Sequence, residues 1–217
     1  MTGWIKNGSI TEQIKNEIKI MGINFFIVSG ALLTGILVLG GISGDLLDFY
    51  PVSFEVIFPF FTAIAVGEWG KIKADSNFDM IAAQTRSLFK WAALRYITVF
   101  AISGVFAVLT MAGASLIRYQ RPLWELMAMY FPTAFFLSSL CGLAGILCRQ
   151  EHIAALVSGI VWMVMLLVRS LLRIPGIEYI YLFIRFAGDE NHIWLWNKGI
   201  LTLMGFVLWG MIYRILK

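Results

Sequence analysis

Charge is what this sequence has least of. Only 14% of its 217 residues are Asp, Glu, Lys or Arg, 59% are hydrophobic, and the mean hydropathy is +0.81. A water-soluble domain carries about 25% charged and about 45–50% apolar residues. The composition therefore excludes a soluble globular domain and predicts an integral membrane protein. Histidine and cysteine occur twice each, too few and too scattered for a metal centre or a disulfide framework. Cys141 and Cys148 stand seven apart in one apolar run. On a helix that is about 10 Å along one side, beyond the reach of a disulfide, so both read as packing residues. His152 beside Glu151 reads as a hydrated turn, and no short apolar leader with a small-residue cleavage site is expected at the start. The phosphate-cradling pattern GxxxxGK[ST] is missing too. Gly67-Glu68-Trp69-Gly70-Lys71 has the wrong spacing and no Ser or Thr after it. Gly41-Ile42-Ser43-Gly44 has the form of an intramembrane serine protease motif, yet neither His152 nor His192 is expected on a neighbouring span to act as base. The chain is accordingly read as a non-enzyme with no catalytic residue, metal or cofactor of its own. Its net charge of +4 is assigned to span flanks facing anionic lipid, not to nucleic acid.

What is there is a succession of apolar runs. Ser9-Ile10-Thr11-Glu12 has a capping-box pattern, and Ile10, Ile14 and Ile18 then recur every fourth residue. This predicts a short amphipathic helix lying in the membrane surface. A first span over Ile20–Gly44 follows, uncharged and longer than the roughly 20 residues a bilayer core requires. The second, roughly Tyr50–Gly67, is interrupted by Glu55 and Pro59. Proline lacks an N–H and crowds the carbonyl four residues back, here that of Glu55. A carboxylate within a span is a functional candidate, so Glu55 and Pro59 are candidates for a substrate path, with a hydrated interfacial Glu55 as the competing reading. Further spans are expected at Tyr96–Ile117, between Glu125 and Arg149 with Pro132 as a kink, at Ile153–Val168, and at about Ile200–Tyr213. Ser170–Lys198 breaks the pattern. Its aromatic piece Tyr179–Ile184 is too short to cross, so it is expected to half-enter the membrane or to lie on the outer face as a helical lid.

The expected fold is thus all-α: one transmembrane domain over residues 1–217 with six spans and both termini cytoplasmic. Eleven of the seventeen Lys and Arg residues then fall on the inside and six on the outside, in keeping with the positive-inside bias. Ala63 with Gly67, Ala154 with Ser158 and Ala155 with Gly159 are pairs of small residues four apart that permit close helix packing.

The densest basic cluster is Lys71, Lys73, Arg86, Lys90 and Arg95, between the second and third spans. Within it Ser76 and Asp79 make a second capping-box pattern. Phe78, Ile81, Ala82, Thr85, Leu88 and Phe89 then fall near one helical face. A cytoplasmic amphipathic helix between two spans is a place for a soluble partner to push on the bundle; a solvated loop on the headgroups is the alternative.

This layout resembles the membrane subunit of type-2 ABC exporters, the ABC-2 permease family. Ser9–Lys19 takes the place of that family's elbow helix. The helix after Ser76 takes the place of its coupling helix, and Ser170–Lys198 that of its re-entrant outer connection. Locally, Glu68, Gly70-Lys71, Phe78–Ala83 and Thr85-Arg86 match the family's glutamate, basic-glycine turn, helical stretch and Ser-Arg-like pair. No Gly-Thr-Leu follows Glu68, and Gln84 stands where a proline is common. The resemblance implies a subunit in the cytoplasmic (inner) membrane of a prokaryote that exports a peptide, antibiotic or other amphiphile. It implies an ABC-type ATPase partner that binds ATP and Mg, and a second copy or sibling permease in a dimer. It also implies that Phe78, Asp79, Met80, Ile81, Thr85 and Arg86 couple to the ATPase while Glu68 and Lys71 brace the end of the second span. A stand-alone secondary transporter, which would need several charges deep in its spans, and a non-transporting membrane scaffold are the competing readings.

Overall fold

The computed structural model describes residues 10–43, 49–74, 78–79, 87–117, 122–148, 150–172, 174, 176–187 and 193–217. Among these, all regular structure is helical. α1 (Ile10–Ser43) is followed by α2 (Phe49–Pro51), a π-helical turn (Val52–Ile57), α3 (Phe58–Val66) and α4 (Trp69–Lys73). Then come α5 (Leu88–Ile117), α6 (Leu123–Leu147), α7 (Ile153–Val168) and α8 (Ile193–Leu216), with short 3-10 turns at Arg169–Leu171 and Ile177–Tyr179.

Five stretches are long and apolar enough to cross a membrane: Ile14–Ile42, Phe49–Lys73, Leu88–Leu116, Leu123–Leu147 and Ile193–Leu216. α7, where a fifth span is expected from sequence, has 16 residues. That is about 24 Å of helix against a hydrocarbon core of about 30 Å. The 3-10 turn after it adds about 6 Å.

Several boundaries differ from the expected ones, each for a local reason. α1 is two helical stretches joined at a kink, which falls at Gly22, two residues after the Ile20 expected to open the first span. The φ of 71° and ψ of 167° at Gly22 lie outside the helical region; glycine has no Cβ to oppose such a backbone. Around Pro59 the chain winds more widely instead of simply losing a bond. Phe58 N–H reaches back five residues to Ser53 O, closing the π turn just ahead of the proline. Leu88 and Phe89, expected on the amphipathic helix, are the first residues of α5. The last helix begins at Ile193 rather than near Ile200, so Trp194, Asn197 and Lys198 are helical and buried. The expected helix after Ser76 lies largely outside the described residues, as do Met80, Ile81, Thr85 and Arg86; only Phe78 and Asp79 of it are described.

The segment from Phe49 to Lys73, called span 2 below, packs at the centre with α6. Their contact is close because small residues meet. A Cβ on Gly67 would fall 2.3 Å from Ala154 Cβ and 3.0 Å from Cys141 Cβ, and one on Gly145 would fall 2.9 Å from Gly67 O. The Ala63/Gly67 and Ala154/Ser158 pairs thus serve packing within the chain, where Cys141 Sγ also meets Ser158 Oγ at 3.2 Å. α8 lies on α6 at Gly205, where a Cβ would stand 2.5 Å from the Phe135 ring. Both cysteines are free thiols. Nearer the middle of the bundle Tyr130 OH bonds Thr62 Oγ1 at 2.9 Å, and Tyr96 OH bonds Ser138 Oγ at 2.8 Å.

Candidate functional site: polar clamps at the two ends of the bundle

The bundle has a proximal end, where residues near both chain ends meet (Trp91 touches Glu17, and Phe89 stacks edge-on with Tyr213), and a distal end around Glu55 and Glu125. Each end carries a buried ionic cluster.

At the distal end Glu55 projects from the π turn and is fully buried. Its Oε1 accepts from Lys198 Nζ on α8 and from the backbone N–H of Arg185 at 3.4 Å; its Oε2 accepts from Phe186 N–H at 2.8 Å. Lys198 is 3% exposed and uses all three ammonium hydrogens, on Glu55, on Thr133 Oγ1 at 2.8 Å and on Leu182 O at 3.1 Å. Asn197, one residue earlier, donates from Nδ2 to Glu178 O at 2.9 Å and Tyr181 O at 2.8 Å. The connection between α7 and α8 is thereby sewn to the helix that follows it. Its residues Tyr181, Leu182, Phe183 and Ile184 are at most 2% exposed, and Phe183 packs on Phe60 of span 2 with ring centroids 5.8 Å apart. Arg185 pairs with Glu125 and lies 5.2 Å from the centroid of the Trp194 ring. This irregular backbone is tolerated because its polar groups find partners inside the protein.

The clamp corrects two expectations. Glu55 is not a hydrated interfacial carboxylate, because three donors enclose it. Lys198 is not an outer-loop charge, because helix α8 extends through it and turns it inward. Pro59 is buried beside the clamp. The signal for Lys198 was present: Trp194, Lys198, Leu201 and Gly205 recur at helical spacing, and all four are buried.

At the proximal end Arg95 of α5 stands between two carboxylates, Glu17 of α1 at 3.7 Å and Glu68 at the end of span 2 at 3.5 Å. Trp91 Nε1 adds a hydrogen bond to Glu17 Oε1 at 3.1 Å. Glu17 and Arg95 have nearly no exposed side chain, whereas the Glu68 side chain is 45% exposed. Glu68 thus sets a half-exposed carboxylate against Arg95 at the end of span 2. Lys71 is exposed, and Lys73 donates to Ile146 O of α6 instead of joining the cluster. Trp69 sits edge-on to Trp91 at 4.9 Å and to Phe78 at 6.4 Å. Phe78 is 8% exposed. Sequence spacing places Phe78 on a face offered to a partner, but here it is turned into the bundle against Trp69, leaving Asp79 exposed beside it. Glu17 and Trp91 were not singled out from the sequence, because a lone glutamate on a basic surface helix reads as solvated.

Among the described residues no group of three His, Cys, Asp or Glu side chains could hold a metal. The chemistry available is electrostatic: two sets of paired charges in an apolar bundle, joined by span 2, which carries Glu55 near one end and Glu68 near the other. Comparison of the chain with protein-family models, with curated proteins and with solved structures finds no match in any of the three.

Proposed function

We propose that the chain is the membrane subunit of an ATP-driven type-2 ABC exporter, working beside a separate ABC-type ATPase and a second permease subunit. The observation that carries the reading is the proximal brace. The polar stretch between span 2 and α5 is anchored where force from a soluble partner would have to enter: through Phe78 on Trp69 and through Arg95 between Glu68 and Glu17. In this reading Phe78 is the anchor of the coupling segment, and Asp79, Met80, Ile81, Thr85 and Arg86 are its docking face, with apolar side chains seated in a groove of the ATPase. The proximal end faces the cytoplasm of a prokaryotic cell. The distal segment around Phe183 closes the outer mouth until span 2 moves, and the cargo is a peptide, antibiotic or other amphiphile.

One observation favours a second reading. Glu55–Lys198 and Glu17–Arg95 are charges inside an otherwise apolar bundle, and such groups are what a stand-alone ion-coupled carrier uses. Purifying the tagged chain from its native membrane separates the two. The exporter reading expects an ABC-type ATPase in the complex, lost on Met80→Glu or Ile81→Glu. A chain that purifies alone and moves cargo in proteoliposomes with a proton gradient and no ATP would overturn it.

A further inference from the structure

Between span 2 and α7 an apolar groove of about 370 Å3 opens on the flank of the bundle. Val56, Phe60 and Ile64 line one wall, and Ala155, Gly159 and Trp162 the other. The volume falls within the roughly 300–1,000 Å3 of small-molecule sites. From Val56 to Ile64 the groove runs about 12 Å at 1.5 Å per residue, close to the hydrocarbon depth of one leaflet, half of about 30 Å. The groove is open beside Gly159, where a Cβ would meet nothing within 4 Å.

The occupant is indicated by what stands beyond the distal end of the groove. Ala155, Trp162 and Arg169 succeed one another by sevens and so lie on one line along the helix. At the end of that line the guanidinium of Arg169 is exposed and rests 5.0 Å over the Phe186 ring. Among the described residues no carboxylate forms an ion pair with it. An apolar trough with an exposed cation seven residues, about 10 Å of helix, beyond its Trp162 end complements a molecule that is hydrocarbon below and anionic above. We propose that the groove holds a phospholipid of the distal leaflet, with one acyl chain between span 2 and α7 and its phosphate on Arg169. This goes beyond the exporter reading and is independent of any ATPase.

A chain already dissolved in lipid gains little hydrophobic free energy by entering an apolar groove. Selection therefore rests on the charge-assisted contact between guanidinium and phosphate, and on the space that Gly159 leaves.

Native mass spectrometry of the whole chain in mild detergent, titrated with phosphatidylglycerol, tests the proposal. The expected result is one tightly retained lipid per chain, with affinity roughly tenfold weaker for Arg169→Ala, the scale of one charge-assisted contact, and similarly reduced for Gly159→Leu. Leu167→Ala, at a lipid-facing position off the line, should bind like the parent, and a large excess of inorganic phosphate should not displace the lipid. Equal retention by Arg169→Ala and the parent would overturn the proposal. So would displacement by inorganic phosphate, or a disulfide between two copies of Gly159→Cys in native membranes.

Discussion

Lys198 and Glu55 lie 143 residues apart in sequence and share one buried ion pair. The pair joins the last helix to the π turn of span 2 and holds the connection before α8 in place through Leu182 O and the N–H groups of Arg185 and Phe186. Its worth lies less in attraction than in what its loss would strand, because a buried charge left alone bears its full desolvation cost.

Replacing one partner should therefore cost more than replacing both. Lys198→Met leaves a carboxylate buried and should lower stability by about 3–5 kcal/mol. Glu55→Gln strands the ammonium and should cost a similar amount. In the double variant the amide oxygen introduced by Glu55→Gln would still accept from Phe186 N–H, so thermal unfolding in detergent should show it to be more stable than either single variant. A double variant as unstable as the sum of the singles would mean that the two residues contribute independently, with no coupling through the ion pair.

The proximal cluster predicts an ordering. Arg95→Leu leaves Glu17 buried among apolar neighbours and should destabilise by several kcal/mol. Glu68→Gln, at a side chain 45% exposed, should change stability by about 1 kcal/mol or less. Transport or partner activity should respond the other way round, with Glu68→Gln impairing function in a chain that remains folded. Thermal melting beside an activity assay reads both, and an inert Glu68→Gln would remove its bracing role.

The glycine contacts predict where bulk is forbidden. Gly67→Val forces a side chain against Ala154 and Cys141 and should cost about 1–3 kcal/mol, more if the helices cannot part. Gly35→Ala meets nothing within 4 Å and, inside a helix, should be neutral or stabilising by up to about 1 kcal/mol. The melting curve of Gly67→Val should fall below that of the parent, and that of Gly35→Ala at or above it.

The membrane class, the all-helical fold and most of the long helices were legible in the apolar runs, because a segment in lipid must satisfy its backbone alone and declares itself by length. Glu55 and Pro59 were legible as an irregularity, though its form was not. A proline announces a missing donor, while the wide turn that answers it depends on neighbours. Lys198 was misplaced for an instructive reason. A lysine at the edge of an apolar run reads as its flank, and only the partners at Glu55, Thr133 and Leu182, far away in sequence or on the preceding connection, make it interior. Phe78 erred in the opposite sense. Amphipathic spacing identifies an apolar face but not what covers it, and here that cover is the chain's own Trp69.

Span 2 carries a fastening at each extremity, a lysine gripping it at one and an arginine at the other. The two grips are unequal, because the Glu55 carboxylate is sealed from water while that of Glu68 is half open to it. A tilt of this element should accordingly begin at the Glu68 end, with the Glu55 end as its pivot.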